Sequence, residues 1–387
     1  MDFSFSEEET LFRENLREFL QKELRPIITR IDKEGIPHEF VKKASSLGIW
    51  AMTVSQEVGG QGAGFLMSTI ASEEIARADF SMATAVLFLL ESGWGYVLDK
   101  YGSKNLREEV LPKVTSGDWF LGVASTEPSG GSDVAGIRTV ATKRDSAFVL
   151  NGQKIYISGV LEAERWGGGH LTLAKTDPGA GHRGISMFYV PTSTKGIEVS
   201  KIENMGRMGI STGIMRYANV EISQNNLVGQ LNKGFYYAMD GFNHARVLVA
   251  GACIGAAEAI LETGIEYIKQ REVFSTKLKD YEAISFEAAE LRTRLEMAKL
   301  LNYKAAWMMD RNPDSQETAM LAAMSKLTAP QVAFDISKAV MMWMGAYGYS
   351  KDALIEMGFR GIVSYLVGAE GAMNVMKLII AKRLFQD

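Results

Sequence analysis

Near the end of the 387-residue chain, Gly368 to Phe385 reads GAEGAMNVMKLIIAKRLF. One carboxylate, Glu370, stands beside a glycine at the head of an apolar helical pattern that ends in lysine and arginine. Two chemistries are compatible with that placement. A carboxylate near a helix N-terminus is stabilised by the macrodipole by about 0.3–1 kcal/mol, whereas a carboxylate aimed into a cavity is a general base. A second stretch, VASTEPSGGSDVAGIRTVA from Val123 to Ala141, interleaves Ser125, Thr126, Ser129 and Ser132 with Gly130, Gly131 and Gly136. Hydroxyls and bare N–H groups gathered where a strand ends form either a polar surface loop or a concavity for an anion or an acceptor-rich ring edge. The stretch has neither the lysine-bearing phosphate loop nor the GxGxxG of a dinucleotide fingerprint.

Other chemistries are disfavoured. The four histidines, His38, His170, His182 and His244, lack the spacing of helix-borne metal pairs. The single cysteine, Cys253, sits in an apolar run, which excludes an intrachain disulfide and a CxxC site and suits a reducing compartment. A formal net charge of −4 gives no footprint for nucleic acid. No uninterrupted apolar run reaches membrane-spanning length, and the start, MDFSFSEEET, is acidic where a signal or transit peptide would be basic, so a cytoplasmic location is expected.

The elements that must position these residues fall into three parts. A hydrophobic content of 47% with 23% charged residues over this length allows two or three domains with a large core. Ser6-Glu7-Glu8-Glu9 is a capping box, followed by the helical stripe Phe12, Leu16, Phe19 and Leu20. Helical patterns continue through residues 1–118. Residues 119–230 switch to short β-rich runs punctuated by glycine, proline and asparagine, without helices between them, which predicts an antiparallel barrel or sandwich. Residues 231–387 return to long apolar helices that predict a bundle and a homo-oligomer burying part of it. The fold class is thus α+β and multidomain.

TEPSGGSD, Thr126 to Asp133, resembles a signature of the acyl-CoA dehydrogenases, and the resemblance covers the whole chain, including the domain order helical, β, four-helix bundle. It implies FAD as cofactor and an acyl-CoA thioester as substrate. NGQKIYISG, Asn151 to Gly159, is similar to the family's flavin-contact segment, which implies that Tyr156 packs on the flavin and Ser158 approaches its N5; Gly159 departs from the usual asparagine. With Val123, Ser125, Thr126 and Ser132, these residues form the implied flavin loop. Arg271 and Phe274, in the segment REVFSTKL, match residues that reach the FAD diphosphate across a subunit interface, although Glu282 and Ser275 depart from the pattern. Met342, Gly345 and Ala346 stand in a drifted form of the loop near the FAD adenosine, and Asn374 is a further implied cofactor contact.

EGAMNVMKLIIAKR aligns without gaps on the family segment whose glutamate is the general base, which implies that Glu370 is catalytic. Arg246 matches the arginine near the base, and the residue before it, Ala245, leaves vacant the position where another branch carries its base. Ser132, Asn243, Arg246 and Gly371 are the implied substrate contacts. One extra residue between Arg360 and Glu370 predicts a bulged loop before the base. Ala83 falls where a glutaryl-specific branch carries arginine, which favours an apolar acyl chain. The implied reaction is α,β-dehydrogenation to a trans-2-enoyl thioester, with an electron-transferring flavoprotein as acceptor and a tetramer favoured. The alternatives are an oxygen-using oxidase or monooxygenase relative and a non-catalytic flavin- or acyl-CoA-binding homologue.

Overall fold

The computed structural model describes residues 4–385; Met1 to Phe3, the start of the acidic N-terminal segment, and the last two residues lie outside them. The chain opens with α1 (Glu7–Glu23), α2 (Ile28–Glu34), α3 (His38–Ser45), α4 (Phe65–Ala78), α5 (Ala83–Tyr101) and α6 (Lys104–Thr115). The capping box forms: the Glu9 N–H donates to Ser6 Oγ at 3.2 Å, and the Ser6 N–H donates to the Glu9 carboxylate at 2.7 Å. Leu16 and Leu20 of the sequence stripe are the buried residues of α1. The start of α5 is set by Asp79, whose buried carboxylate accepts the backbone N–H and hydroxyl of both Ser81 and Thr84. That satisfies donors which the first helical turn leaves without partners.

The middle of the chain carries β1 (Phe120–Ala124), β2 (Val140–Arg144), β3 (Ala147–Ser158), α7 (Val160–Trp166), β4 (Gly168–Lys175), β5 (Ile185–Pro191), β6 (Ile197–Lys201) and β7 (Thr212–Ser223). They form one sheet in the order β1-β4-β2-β3-β7-β6, with β5 paired to β4. Two features correct the expectation of a helix-free antiparallel arrangement. β1 and β4 run parallel, Phe120 opposite Gly168 through Ala124 opposite Thr172, and β2 meets β4 in one parallel pair. A parallel pair needs a long crossover, which the β2–β3 hairpin and α7 supply. The turn into α7 depends on Gly159, which has φ 76° and whose absent Cβ would lie 1.9 Å from the Phe120 ring. The Gly159 departure noted in the sequence therefore seats the crossover.

The last part contains α8 (Gly234–Gln270), a hairpin of β8 (Glu272–Val273) and β9 (Thr276–Lys277), α9 (Glu282–Arg311), α10 (Gln316–Met344), the short α11 (Ala346–Tyr349), α12 (Ile355–Val367) and α13 (Met373–Leu384). α8 packs on α10, α9, α4 and α5, so the first and last parts share one helical core. Gly255 permits the closest approach, since a Cβ there would lie 2.0 Å from the Glu73 carbonyl oxygen of α4. Although no uninterrupted apolar run spans a membrane, α8 is long and apolar enough to do so by length and composition; most of it is buried inside this fold. A separate apolar cluster, including Phe148, Leu150, Phe188, Val190 and Met215, fills the β region.

Candidate active site

A cavity of about 850 Å³ opens where the sheet meets the helical core. β1 and the loop after it contribute Val123, Ser125, Thr126, Gly131 and Ser132; the end of β3 contributes Tyr156 and Ser158; α8 contributes Arg246; and the segment before α13 contributes Glu370 and Gly371. These are nine residues apart from Gly131 that the sequence singled out, drawn from four distant segments. Asn243 stands one step behind, its Oδ1 accepting from Arg246 Nη1 at 2.7 Å. Asn374 is exposed in the first turn of α13 and does not line the cavity.

Arg271, Phe274, Met342, Gly345 and Ala346 lie elsewhere. Arg271 ends α8, and Phe274, 92% exposed, sits with Ser275 at left-handed φ in the two-residue turn between β8 and β9. Met342, Gly345 and Ala346 are exposed at the end of α10. Tyr267 stacks on Tyr347 at 6.1 Å, which brings the two groups to one patch outside the cavity.

Glu370 is not in the helix. α13 begins at Met373 with Ala372 as its N-cap, so the carboxylate sits in the loop before it. This loop is the bulge that the extra residue predicts: Ala369, Glu370 and Gly371 have φ of 48°, 59° and 110°. Left-handed conformations cost a non-glycine residue about 1–2 kcal/mol each and persist only where the surroundings impose them. Two buried cations do so. Arg246 Nε donates to the Glu370 carbonyl at 3.0 Å. Lys326 of α10 donates from Nζ to the carbonyls of Tyr365 at 2.9 Å, Gly368 at 3.2 Å and Gly371 at 2.6 Å, closing the end of α12 and the base loop together.

Only 9% of Glu370 is exposed, and its Oε2 has no hydrogen-bond partner among the described residues. Burial pushes its pKa up to about 7, while Arg246, Lys326 and the Trp94 indole act in the opposite direction. That range lets the group exchange a proton at neutral pH. Burial likewise lowers Lys326, to about 8.

The flavin-loop residues are held from beneath. The Glu127 carboxylate accepts from the Arg138 N–H at 2.5 Å, the Thr139 N–H at 3.0 Å and Lys154 Nζ at 2.8 Å, and Lys154 Nζ also donates to the Ser125 carbonyl at 3.1 Å. Burial would raise the Glu127 carboxyl, but Lys154 and these hydrogen bonds hold it below its ordinary range. In β3 the pairing register shifts between Ile155 and Ile157, which leaves Tyr156 as a bulge at φ 59° and 63% exposed toward the cavity side. An unpaired residue in a bulge re-aims its side chain, and such strain clusters at functional sites. His170 Nε2 meets the Ser158 carbonyl at 3.0 Å, and burial lowers this histidine to about 4, so it is neutral.

Sequence reasoning missed Lys326, Trp94, Glu127, Lys154 and His170 as parts of the site. Only Glu127 and Lys154 lie inside stretches whose composition drew attention. Ala83, the basis for expecting an apolar acyl chain, is fully buried and does not line the cavity.

Three family models match the chain: acyl-CoA dehydrogenase, N-terminal domain, over residues 6–118; middle domain, over 122–220; and C-terminal domain, over 232–385. The chain is 33% identical to the 3-(aryl)acrylate reductase of Clostridium sporogenes, across 99% of this chain and 100% of that protein. It is 31% identical to the caffeyl-CoA reductase-Etf complex subunit CarC of Acetobacterium woodii, across 99% of each. It superposes with a TM-score of 0.93 on the structure of a glutaryl-coenzyme A dehydrogenase glutaryl-CoA complex, at 30% identity, covering 99% of this chain and 96% of that one.

Proposed function

Because the chain belongs to the acyl-CoA dehydrogenase family, whose three domain models span residues 6 to 385, we propose that it removes two hydrogens from an acyl-CoA thioester to give the trans-2-enoyl thioester. The observation that carries this reading is the buried Glu370, on the cavity wall with one carboxylate oxygen free of partners and a pKa near 7. It takes the α-proton. The carbanionic charge that develops moves to the thioester oxygen, which needs donors fixed in advance in a cavity that excludes water. The Glu370 N–H makes no backbone hydrogen bond among the described residues and is proposed for that role.

FAD is the family's cofactor, and the cavity residues fit it: Ser125, Thr126 and Ser132 offer hydroxyls, Gly131 bare backbone, and Tyr156 an aromatic face. Bound there, FAD supplies the acceptor for the hydrogen that leaves the β-carbon with its electron pair. Arg246 orients the base through the Glu370 carbonyl, and Lys326 keeps the loop from relaxing out of its left-handed course. An electron-transferring flavoprotein is the proposed electron partner, by likeness to a relative described as a subunit of an Etf complex.

A second reading runs the same chemistry backwards, protonated Glu370 giving its proton to the α-carbon of an enoyl thioester. Two relatives named as reductases favour it, and a base near pKa 7 serves either direction. Anaerobic absorbance titration of the purified protein with acyl-CoAs tests the first reading: the flavin band bleaches with a substrate. Glu370→Gln should keep FAD and the ligand-induced band shift but lose bleaching. Near-normal turnover in that variant would remove Glu370 from its role. Oxidised enzyme that resists every acyl-CoA, with reduced enzyme rapidly reoxidised by enoyl-CoAs, would select the second.

A further inference from the structure

Arg207 lies in the segment joining β6 to β7, and it lines the same cavity as Glu370. Its Nε is buried without a hydrogen-bond partner, and its guanidinium makes no ion pair among the described residues. Its backbone is left-handed at φ 57°. The neighbouring arginine at this wall, Arg360, shows the contrast: it is paired with both Asp32 and Glu356. A buried Nε–H without an acceptor costs free energy unless a ligand supplies one.

The position of the segment is defined by its glycines. A Cβ on Gly206 would lie 2.2 Å from the Arg360 carbonyl oxygen of α12, and one on Gly209 would lie 2.8 Å from the Ala83 Cβ at the start of α5. Arg207 is thus wedged between these two helices. One turn further along each, Val86 and Val363 line the cavity, together with Leu89, Leu90 and Val367. This is the apolar part of the cavity, where an acyl chain belongs.

We propose that Arg207 binds a carboxylate at the far end of the acyl chain, so that the substrate is an ω-carboxyacyl thioester. The inference rests on the acyl-CoA reading of the cavity and specifies its substrate class. It reverses the expectation drawn from Ala83: the cation that α5 lacks comes from the adjoining segment. A guanidinium pairs with a carboxylate through two parallel charge-assisted hydrogen bonds. An unsubstituted chain of equal length leaves those donors empty, and a site of that kind discriminates by large factors.

The test uses the FAD-loaded enzyme and matched pairs, glutaryl-CoA against pentanoyl-CoA and adipyl-CoA against hexanoyl-CoA. The wild type should favour the carboxylated member in kcat/KM by about 100-fold or more. Arg207→Leu should lose roughly 100-fold on that member and change little on the unsubstituted one. Calorimetric binding of the same thioesters to Glu370→Gln, with and without Arg207→Leu, reads recognition without turnover. Preference for the unsubstituted chain in the wild type overturns the proposal. So does an equal loss on both members, or a loss of FAD on substituting Arg207. If no thioester is turned over yet carboxylated ones bind Arg207-dependently, the dehydrogenase reading fails and the subsite stands. If unsubstituted acyl-CoAs alone bleach the flavin, the subsite fails and the dehydrogenase reading stands.

Discussion

Glu370 combines burial with two nearby cations, and the balance leaves it titrating at about 7. In its proposed role of base it works only deprotonated, so kcat/KM for dehydrogenation should rise with pH through about 7 and level off above it. Lys326 both anchors the base loop and, as a buried cation, lowers the Glu370 pKa. Lys326→Met should therefore cut kcat by roughly tenfold or more and move the rising limb to higher pH, because a charge that favoured the carboxylate is gone. A variant that loses stability without moving the limb would reduce Lys326 to a structural part. Glu370 and Arg246 were legible because each stands in an ordered local motif. Lys326 was not: nothing in AAMSKLTAP separates a lysine that meets three carbonyls of another segment from one on a solvated face.

At the scale of elements, the loop after β1 and the end of β3 are coupled through Lys154 and Glu127, both essentially inaccessible to solvent. Removing one member of a buried pair strands the other charge, so Lys154→Met should cost about 3–5 kcal/mol in denaturant unfolding and weaken flavin retention. Stability within about 0.5 kcal/mol of wild type would contradict the coupling. On α5, Glu91 is buried with neither carboxylate oxygen partnered among the described residues, and burial raises its pKa well above the ordinary carboxyl value. A raised folded pKa means that stability is fully present below the unfolded pKa and is lost as pH rises toward the folded one. Glu91→Gln should therefore gain on the wild type with pH, by up to about 1.4 kcal/mol per pH unit. Urea midpoints at pH 5 and pH 8 would show it; a constant offset between the two proteins would refute it. The Tyr156 bulge, like these pairs, was not readable from alternation, since one inserted residue shifts every later side chain to the other face.

For the whole molecule, α9 carries Phe286, Met297, Leu300 and Trp307 as exposed large apolar side chains, with Met342 and Tyr349 at the end of α10 and beyond. We propose that this apolar surface packs against a second copy of the chain. The patch holding Arg271, Phe274 and Met342 lies outside this chain's own cavity, and we propose that a second copy presents it to the flavin. Light scattering should report an oligomer, and a double substitution Met297→Glu with Leu300→Glu should dissociate it and reduce FAD content together. Arg271→Ala should reduce FAD content while leaving the oligomer intact. A monomer that retains its FAD stoichiometrically would reject the shared site.

The sequence by itself determined what is local: the helical, β and helical order, the capping box, and the family motifs in which Glu370 and Arg246 stand. Periodicity and short motifs encode these because each is a property of neighbouring residues. Tertiary structure alone decided what depends on distant segments meeting. It set the parallel β1–β4 pairing, the left-handed course of residues 369–371, the three carbonyls on Lys326, and the buried Arg207 Nε that has no partner among the described residues. A buried charge looks identical to an exposed one in a string of letters. Whether it is satisfied is known only once the chain has closed around it.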